Sequence, residues 1–594
     1  MKGLTLERIE KVTHGVLHVS VMTSAGIFAG FDRANIRKGS PRAHWIYERA
    51  LVTEIDSIVT DSRKAGVGSL FSAIVGERVD GHTFIPKVYD QGAICVLAEH
   101  YLDREDLFSE EAVSKLSTIK AGASPVEDWK GGVKDTAHAK SLKELAAAER
   151  AAGVDVPGAA PDGSLYRLWI EVDDTEEALR AIAEEYLKIL GVPVVGITGS
   201  VGKTSTKEMI ASVLEQHFRT LKTEGNFNNG LGLPLTVFRL KEEDQIAVLE
   251  MGVSHFGDMD QLARIARPDT MVITNIGTCH LEFLKSRDGI LKAKTEVFRY
   301  MDGSGHYLLN GNDDKLRTIT SVNGVQPVFF GVSSDTEGAE DLCVGQKMDF
   351  PGSLDPARVV CATDVQSLGF EGSRCIMKTP EGDFEVKVPV PGLHNVSNAA
   401  AATAVGMTCG LTFAEIRKGI ESMETISGRF RILKTEGKTI IDDCYNANPV
   451  SMKSSLAVLK EAGAEGAGAE KKQEAETGGK AAGKQKAEAG GAAARRVAVL
   501  GDMGELGEEE VLLHEQVGEY AADCCDHLIV IGELSKNLYE AARRKNSSLS
   551  AVWYPSLDEF LARKDEEIRG GDVVLVKASH FMGFSRIVEE LTKA

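Results

Sequence analysis

Short apolar runs that end in polar residues recur along the chain from about residue 190 onwards. The first three are VPVVGIT, AVLEMG and TMVITNIG, and four more follow after residue 426: KTIIDDCYN, RRVAVLGDMG, HLIVIG and DVVLVKASH. Such runs are typical of buried parallel strands whose carboxyl ends carry a functional site, and helical patterns separate them here. The pattern predicts a doubly wound α/β fold both before and after residue 426.

The N-terminal part has a less regular pattern. Apolar segments between Gly and Asp turns at 58–85 predict short strands. The segment 175–190 predicts a helix, because an Asp/Thr cap and early acidic residues precede apolar positions spaced three and four apart. The stretches 18–50 and 100–165 have an irregular pattern that mixes Gly, Pro, Ala and charged residues, and we interpret both as insertions of unknown shape.

These changes in pattern predict three domains, at 1–190, 191–425 and 426–594. The length of 594 residues agrees with three or four domains. Within the third domain, 462–494 is a low-complexity segment of Ala, Gly, Lys and Glu. Its few large apolar side chains cannot offset the entropy lost on ordering, so a mobile surface linker is predicted there, with weak helix as the alternative.

Composition excludes several classes of protein. The chain is 43% hydrophobic and 26% charged, as an ordinary globular protein is. The formal charge of −20 opposes broad adhesion to DNA or anionic membranes, no apolar run is long enough to span a bilayer, and no secretion signal is recognisable. The nine cysteines are scattered without CxxC spacing, as thiols in a reducing cytosol are. We therefore expect a soluble, cytoplasmic protein with no nucleic-acid partner and no membrane insertion.

The segment 196–205, GITGSVGKTS, is the strongest chemical signal. It follows an apolar strand and precedes a helical pattern, so the N–H groups of a Gly-rich turn and a helix N-terminus would both face phosphate oxygens. Lys203 is expected at the β/γ-phosphates of ATP and Thr204 at Mg²⁺. Ile197 departs from the strict motif, which has Gly there. The residues expected to contact ATP in this segment are Thr198, Gly199, Ser200, Val201, Gly202, Lys203 and Thr204.

Three further side chains are candidates for chemistry. Glu250 ends a predicted strand, and its carboxylate would suit Mg²⁺, which prefers oxygen ligands. His280 follows another strand end, and Lys294 lies in a helical segment shortly after it. Each of these residue types is commonly structural or solvated, and a phosphate-binding loop fits a motor, a kinase, a GTPase or a ligase. The residues alone leave these classes open.

Eight motifs, in this order, resemble those of the bacterial Mur ligase family. They are GITGSVGKTSTKE, EGNFNNGLGLPLT, LEMGVSHFGDM, TNIGTCHLEFL with KAKTEVF, PGLHNVSNAAAA, SGRF, IIDDCYNANPVSM and VLGDMGELG. The resemblance covers roughly 52–98 and 168–594, outside the low-complexity segment. It implies a three-domain α/β architecture, with a small UDP-binding N-terminal domain, a central P-loop ATPase-like domain and a Rossmann-like C-terminal domain.

The resemblance implies an ATP-dependent amide ligase of peptidoglycan precursor synthesis. The motifs DDCYNANP and GDMGELG, with no DNPR motif, are most similar to the member that adds D-alanyl-D-alanine to UDP-N-acetylmuramoyl-tripeptide through an acyl phosphate. ATP and Mg²⁺ would be required, and the protein would be a monomer. Two alternatives stay open: a paralogue that adds diaminopimelate or lysine, and a nucleotide-binding regulatory homologue without ligase activity. The third residue of the acceptor peptide, lysine or diaminopimelate, is also open.

The resemblance further assigns roles around ATP. The catalytic residues would be Lys203, Glu250, His280 and Lys294. Thr204 and Glu250 would hold one Mg²⁺, and His280 would hold a second one together with Lys294 if that lysine is carbamylated, because a carbamate is an anionic oxygen ligand. The candidates for the remaining nucleotide contacts are Asn395 and Asn398 at adenine, Arg429 at a phosphate and Asp443 at the ribose.

The UDP end of the substrate is expected in the first domain. The residues that match the family's N-terminal signature are Asp61, Ser62, Arg63, Gly81 and His82. Roles in forming turns are an equal alternative for them. Near the C-terminus, the tripeptide 578–580 is Ala-Ser-His where relatives often have Gly-Ser-Arg. A titratable imidazole in place of a permanent guanidinium weakens the assignment of a carboxylate clamp for the incoming dipeptide.

Overall fold

The structure is a computed structural model that describes residues 1–23, 27–38, 41–116, 165–342, 345–435, 437–476 and 494–593. The chain divides into two compact units. Unit 1 comprises Met1–Val192, Thr223–Gln245 and Arg264–Ala266, and unit 2 comprises Pro193–Lys222, Ile246–Ala263 and Arg267–Ala594. Within the described residues, one β-sheet lies in unit 1 and two lie in unit 2.

Unit 1 is built on a six-stranded mixed sheet. Its strands are β1 (Val16–Met22), β2 (Phe28–Asp32), β3 (Ser57–Val59), β4 (Ser69–Ser72), β5 (Cys95–Ala98) and β6 (Leu165–Glu171). Their order is β2-β1-β6-β5-β4-β3, in which β3 to β6 are parallel and β1 is antiparallel to both of its neighbours. The helices are Leu6–Thr13, Pro41–Leu51, Ile85–Asp90, Arg104–Leu107, Glu110–Leu116, Thr175–Leu190 and Gly232–Val237.

The stretch 18–50, predicted to be an insertion of unknown shape, contains regular structure, because most of β1, all of β2 and the helix Pro41–Leu51 lie in it. The sequence does not reveal β1 as a buried strand, because its polar residues are buried together with their apolar neighbours. His18 stacks on Trp169 with ring centroids 4.0 Å apart, and Ser20 accepts a hydrogen bond from the Trp169 indole at 3.1 Å. Partners on β6 therefore satisfy residues that would otherwise predict a loop.

The helix predicted at 175–190 is confirmed as Thr175–Leu190. The Asp174 side chain caps it by accepting a hydrogen bond from Glu177 N at 2.8 Å, and Gly191, with φ +62°, ends it. The second predicted insertion, 100–165, contains two short helices in its described part. The rest of that prediction, 117–164, lies outside the described residues.

The first sheet of unit 2 has nine strands. They are β7 (Val194–Thr198), β8 (Thr220–Lys222), β9 (Ile246–Glu250), β10 (Thr270–Ile273), β11 (His306–Asn310), β12 (Val328–Val332), β13 (Val359–Ser367), β14 (Ser373–Thr379) and β15 (Gly382–Val388). The order is β15-β14-β13-β12-β11-β10-β7-β9-β8. Neighbouring strands in this order are parallel between β13 and β8, and the pairs β13–β14 and β14–β15 are antiparallel. The helices of this region are Lys203–Leu214, Asp258–Ala266, Leu281–Leu284, Arg287–Thr295, Leu393–Thr408 and Phe413–Glu421.

The second sheet of unit 2 has six strands. They are β16 (Arg431–Thr435), β17 (Lys438–Asp442), β18 (Arg496–Gly501), β19 (His527–Ile531), β20 (Ser550–Tyr554) and β21 (Val573–Lys577), in the order β16-β17-β21-β18-β19-β20. All pairs are parallel except β16–β17. The helices are Pro449–Glu476, Glu510–Ala521, Lys536–Lys545, Leu557–Glu567 and Ser585–Thr592. The doubly wound pattern predicted for this region is confirmed.

The predicted linker at 462–494 is helical where its backbone is described, since one helix continues to Glu476. The helical alternative therefore applies to its first part, and 477–493 lies outside the described residues. No helix in the described part of the chain is long and apolar enough to cross a membrane. The eight cysteines described are free thiols.

Candidate active site

The predicted phosphate-binding loop lies between β7 and the helix Lys203–Leu214. Gly199 has φ +152°, and a Cβ there would lie 1.9 Å from Thr274 Oγ1, so this close approach requires glycine. Gly202 has φ +82°, which also favours glycine. The Lys203 ammonium group donates a hydrogen bond to Gly199 O at 2.8 Å. The loop and the helix N-terminus thus have the arrangement that binds phosphate groups in other proteins.

Two residues after β10 hold this loop in place. Thr274 Oγ1 donates to Val201 O at 2.6 Å, and the Asn275 amide both donates to Val201 O at 3.0 Å and accepts from Val201 N at 2.9 Å. Asn275 O accepts from Ser200 N at 3.0 Å. This role was not predicted from the sequence, although both residues lie in the run TMVITNIG. The segment that leads to His280 therefore also fixes the phosphate-binding loop.

Glu250 lies at the end of β9, directly opposite Ile197 of β7, and is 1% exposed. The ammonium group of Lys207, itself 1% exposed, is 4.0 Å from the Glu250 carboxylate and 2.9 Å from that of Glu208. A carboxylate buried this deeply needs nearby positive charge, and Lys207 supplies it. Lys207 is a site residue that the sequence analysis missed. Its signal was the second lysine of the GKTSTKE motif.

Lys294 is 1% exposed and lies within electrostatic range of Lys203. Burial is the main cause that lowers the pKa of its amine to about 7, and the Lys203 ammonium group lowers it further. Burial also raises the pKa of the Cys279 thiol, which donates to Ser200 O at 3.3 Å. The structure therefore brings the phosphate-binding loop, Lys294 and Cys279 together, and it leaves much of Lys294 as a neutral, nucleophilic amine near pH 7.

His280 lies in the loop after β10, and its Nδ1 atom is 2.5 Å from Glu505 Oε2. The contact with His280 is the main cause that lowers the pKa of the Glu505 carboxyl. Glu505 follows β18 in the motif GDMGELG, which the sequence analysis used only for the family resemblance. The structure thus adds a carboxylate beside one predicted metal ligand.

The predicted metal ligands suit magnesium by their chemistry. Among the residues that the structure describes, no three His, Cys, Asp or Glu side chains converge to hold a metal by themselves. Thr204 and Glu250 are both buried, and they offer a hydroxyl and a carboxylate oxygen. Mg²⁺ usually takes only one or two protein ligands and fills its shell with phosphate oxygens and water, so this set fits the ion.

Asn395 and Asn398 are buried in the helix Leu393–Thr408 and are engaged within the protein. Asn398 Oδ1 accepts from Thr206 Oγ1 at 2.8 Å, and Asn398 Nδ2 donates to Asn395 Oδ1 at 3.1 Å. Asn395 Nδ2 donates to Pro391 O at 2.8 Å. The two amides therefore connect this helix to the one that begins at Lys203. Contact of either amide with adenine stays a prediction.

Asp443 follows β17 and forms an ion pair with Lys577 at 2.5 Å. Lys577 is 2% exposed, and Ser455 Oγ donates to the same Asp443 oxygen at 2.7 Å. The pKa of the nearby His394 is lowered to about 4, mainly by burial, while Asp443 opposes and Lys577 adds to this shift. Asp443 therefore lies near the start of the helix that carries Asn395, and contact of Asp443 with the ribose stays a prediction. Lys577 is a partner that the sequence analysis missed.

Arg429 stacks on Tyr445, with its Cζ atom 4.0 Å from the ring centroid. His580 also contacts that ring, with the two ring centroids 5.3 Å apart and an angle of 63° between the ring planes. Gly428 N donates to Asp442 Oδ2 at 2.8 Å, which fixes the backbone next to Arg429. Arg429 and His580 therefore both contact the Tyr445 ring. His580 is the residue at the position where relatives often have arginine.

The first three predicted UDP residues lie after β3 of unit 1. Asp61 caps a short 3₁₀ turn that contains Ser62, and it accepts from both Nε and a terminal nitrogen of Arg63 at 2.9 and 2.8 Å. Hydrogen bonding to Arg63 is the main cause that lowers the pKa of the Asp61 carboxyl to about 2. The Arg63 side chain is 83% exposed, so it is accessible to a ligand.

The other two predicted UDP residues lie after β4, the parallel neighbour of β3. His82 is 8% exposed, and its Nδ1 atom donates to Asp80 at 2.7 Å while Nε2 accepts from Glu99 N at 3.1 Å. A Cβ at Gly81 would lie 2.7 Å from Ile74 O, so the backbone packs too closely there for another residue. Gly81 and His82 therefore have structural roles in this turn. The loops after β3 and β4 both lie at the carboxyl edge of the sheet, where α/β folds bind ligands.

These features define a P-loop α/β protein, and comparison with known proteins identifies its family. Three family models match the chain: the Mur ligase family catalytic domain at 54–160, the Mur ligase middle domain at 197–406, and the Mur ligase glutamate ligase domain at 476–580. The chain belongs to the Mur ligase family. The resemblance and the fold class inferred from the sequence are thereby confirmed, and the predicted domain boundaries stay predictions.

The individual relatives agree with this. A Bacillus subtilis protein named UDP-N-acetylmuramoyl-tripeptide--D-alanyl-D-alanine ligase is 31% identical over 91% of this chain and 94% of its own length. The crystal structure of MurF from Acinetobacter baumannii has a TM-score of 0.68 at 25% identity, covering 100% of this chain and 99% of that one. MurF ligase from Thermotoga maritima in complex with ADP shares the fold, with a TM-score of 0.63 at 23% identity over 90% and 97% of the two chains.

Proposed function

We propose that this protein joins D-alanyl-D-alanine to UDP-N-acetylmuramoyl-tripeptide in the cytoplasm, with conversion of ATP to ADP and phosphate. The named relatives that span most of the chain support the choice of substrates. The observation that carries the chemistry is the grouping of the phosphate-binding loop and Lys203 with the buried amine of Lys294. The protein acts as a monomer in this proposal.

The reaction needs activation because a carboxylate is a poor electrophile. A carboxylate oxygen of the tripeptide attacks the γ-phosphorus of ATP, and ADP leaves. The neutral amine of D-alanyl-D-alanine then attacks the acyl carbon and loses a proton to solvent, and phosphate leaves with the former carboxylate oxygen. Two anions must meet in the first step, so charge neutralisation and positioning provide most of the catalysis.

The residues of the loop meet that requirement. The Lys203 ammonium group and the N-terminus of its helix place positive charge where the phosphates would bind. The contacts of Thr274 and Asn275 with Val201 preorganise the loop. Bound Mg²⁺ would supply further positive charge, held by Thr204 and Glu250 at one site and by His280 and carbamylated Lys294 at the other.

Lys294 is suited to carbamylation by its environment. Its amine, with a pKa of about 7, is substantially neutral at physiological pH and can attack CO₂. A nitrogen–carbon bond forms as one C=O π bond of CO₂ opens onto its oxygen, the nitrogen passes a proton to solvent, and the side chain becomes an anion. The neighbouring Lys203 ammonium group, which disfavours a second cation, favours that anion instead.

The test is a ligation assay with purified protein, ATP and Mg²⁺. UDP-N-acetylmuramoyl-tripeptide and D-alanyl-D-alanine together should give the pentapeptide product by mass spectrometry, with one phosphate released per bond. The variant Lys203→Ala should fold and form no product, while the control variant Lys285→Ala, at an exposed lysine with no predicted role in the site, should retain activity. A product formed only from the dipeptide substrate with diaminopimelate or lysine would contradict the proposal. ATP hydrolysis without any peptide product would identify a regulatory homologue.

A further inference from the structure

The contact between His280 and Glu505 joins two segments that are distant in sequence. His280 lies after β10, Glu505 lies after β18, and 2.5 Å separates His280 Nδ1 from Glu505 Oε2. The side chains are 23% and 52% exposed, so the pair is neither deeply buried nor freely solvated. A surface pair of this exposure adds little to stability.

Both residues have a left-handed backbone, with φ +59° for His280 and φ +61° for Glu505. This conformation is unfavourable for a residue other than glycine. Such residues persist only where the surrounding structure determines them, and they are concentrated at functional sites. Two of them therefore hold the facing side chains of one contact in fixed directions.

The loop that carries Glu505 is held by its own contacts. Met503 N donates to the buried imidazole of His514 at 3.0 Å, and Gly504 N donates to Ser579 Oγ at 2.9 Å. These bonds fix the backbone immediately before Glu505. The carboxylate is thus presented from a rigid support and not from a mobile surface loop.

The segment that carries His280 packs against the same loop. Leu281 packs on the core cluster that contains Met503 and Leu506. Gly507 has φ +63°, and a Cβ there would lie 3.2 Å from Glu282 Cα, so the two backbones are in close contact. The orientation of His280 therefore depends on the segment 501–507.

We propose that Glu505 is a positioning residue for His280: its carboxylate keeps the imidazole proton on Nδ1 and leaves the Nε2 lone pair to bind a divalent cation. This inference rests on the proposed function, because it takes His280 as a metal ligand. A histidine that binds a metal through one nitrogen needs its other N–H held by an acceptor, which sets the tautomer and the ring orientation. The C-terminal sheet region thereby completes a metal site whose other residues come from the nine-stranded sheet region.

The first test measures metal affinity without turnover. Mn²⁺ binding in the presence of ADP is followed by electron paramagnetic resonance of the free ion. Glu505→Ala should weaken the affinity of the site that uses His280 by about 10- to 100-fold. Glu505→Gln, which keeps an acceptor oxygen, should weaken it less. Glu508→Ala, at an exposed glutamate of the same segment, is the matched control and should bind Mn²⁺ as the wild type does.

The second test needs no metal. Long-range ¹H–¹⁵N correlation spectra of the ligand-free protein should show His280 protonated on Nδ1. The Nδ1–H tautomer should be largely retained in Glu505→Gln and replaced by a mixture in Glu505→Ala. If Glu505→Ala does not fold, Glu505→Gln still tests the proposal through its smaller loss of Mn²⁺ affinity.

The outcomes separate this inference from the proposed function. His280→Ala should weaken Mn²⁺ binding at least as much as Glu505→Ala does. If His280→Ala weakens binding while both Glu505 variants bind Mn²⁺ normally and keep the wild-type tautomer, the positioning role is wrong and the metal site stands. If His280→Ala itself leaves Mn²⁺ binding unchanged, His280 is not a ligand and the positioning role is overturned with it. A ligase that still forms the pentapeptide in that case retains the proposed function.

Discussion

Asn398 Oδ1 accepts a hydrogen bond from Thr206 Oγ1 at 2.8 Å, and this contact joins the helix Leu393–Thr408 to the helix that begins at Lys203. A Cβ on Gly202 would lie 3.6 Å from the same Asn398 oxygen, so the amide also borders the phosphate-binding loop. Asn398 therefore supports the phosphate-binding loop through the helix that follows it. This structural role does not depend on a contact between Asn398 and adenine.

Replacing Asn398 with alanine should destabilise the nucleotide-free protein. The substitution leaves the buried Thr206 hydroxyl without its partner, which costs about 1 to 3 kcal/mol. Urea unfolding without nucleotide measures the loss. Thr206→Val and the double variant complete a thermodynamic cycle, and a coupling free energy of about 0.5 kcal/mol or more is expected. Normal stability of Asn398→Ala with weakened ADP binding would instead assign Asn398 to the adenine.

Replacing Lys294 with methionine should stabilise the ligand-free protein in a pH-dependent manner. Because the pKa of Lys294 is lowered to about 7, the folded protein bears the cost of a buried ammonium group below pH 7. Above the ordinary lysine value of 10.5 the amine is neutral in both states and the cost vanishes. The free energy of unfolding of Lys294→Met should exceed that of the wild type by up to about 5 kcal/mol below pH 7, and the difference should shrink between pH 7 and 10.5.

Urea unfolding in CO₂-free buffer across that range measures the effect. Lys292→Met is the matched control, since Lys292 is exposed on the same helix, and it should show no comparable pH dependence. A stability difference for Lys294→Met that grows as the pH rises would contradict a lowered pKa.

Removing Asp443 alone should destabilise the folded protein more than removing both Asp443 and its ion-pair partner Lys577. Asp443→Ala leaves the 2% exposed Lys577 ammonium group buried without its carboxylate, and such a loss is worth about 3 to 5 kcal/mol. Asp443→Ala with Lys577→Met should recover part of that stability. Thermal or urea unfolding measures the stability of both variants. A double variant less stable than Asp443→Ala would show that the two charges do not compensate each other in the folded protein.

The two predicted UDP-binding loops should respond differently to mutation. Arg63→Ala should leave stability almost unchanged, because the side chain is 83% exposed, and should weaken binding of the UDP-linked substrate. His82→Ala should lower stability by about 1 to 3 kcal/mol, because the buried imidazole bonds both Asp80 and Glu99. Calorimetric titration with UDP and urea unfolding separate the two effects. Equal behaviour of the two variants would argue against this division of roles.

Local signals in the sequence were sufficient for much of the fold and part of the site. The loop before Lys203 and the helix Thr175–Leu190 could be predicted because their glycines, caps and spacing act over a few neighbouring residues. Strand β1 was missed because its polar side chains are satisfied by partners on β6, which no local pattern reveals.

The missed site residues share one physical cause. Asn275, Glu505 and Lys577 act through contacts with residues far away in the sequence. A lysine or glutamate with such a partner has the same local pattern as a solvated one, so only the fold distinguishes them. Motif resemblance located the segments that carry these residues without assigning them a role.

The most direct measurement of the central claim is the fate of an oxygen label. UDP-N-acetylmuramoyl-tripeptide labelled with ¹⁸O in the carboxylate that becomes the amide is incubated with ATP, Mg²⁺ and D-alanyl-D-alanine, and the released phosphate is analysed by ³¹P NMR. Phosphorylation of that carboxylate at the loop around Lys203 predicts one ¹⁸O atom in each phosphate released. Unlabelled phosphate, with its new oxygen from water, would contradict the account.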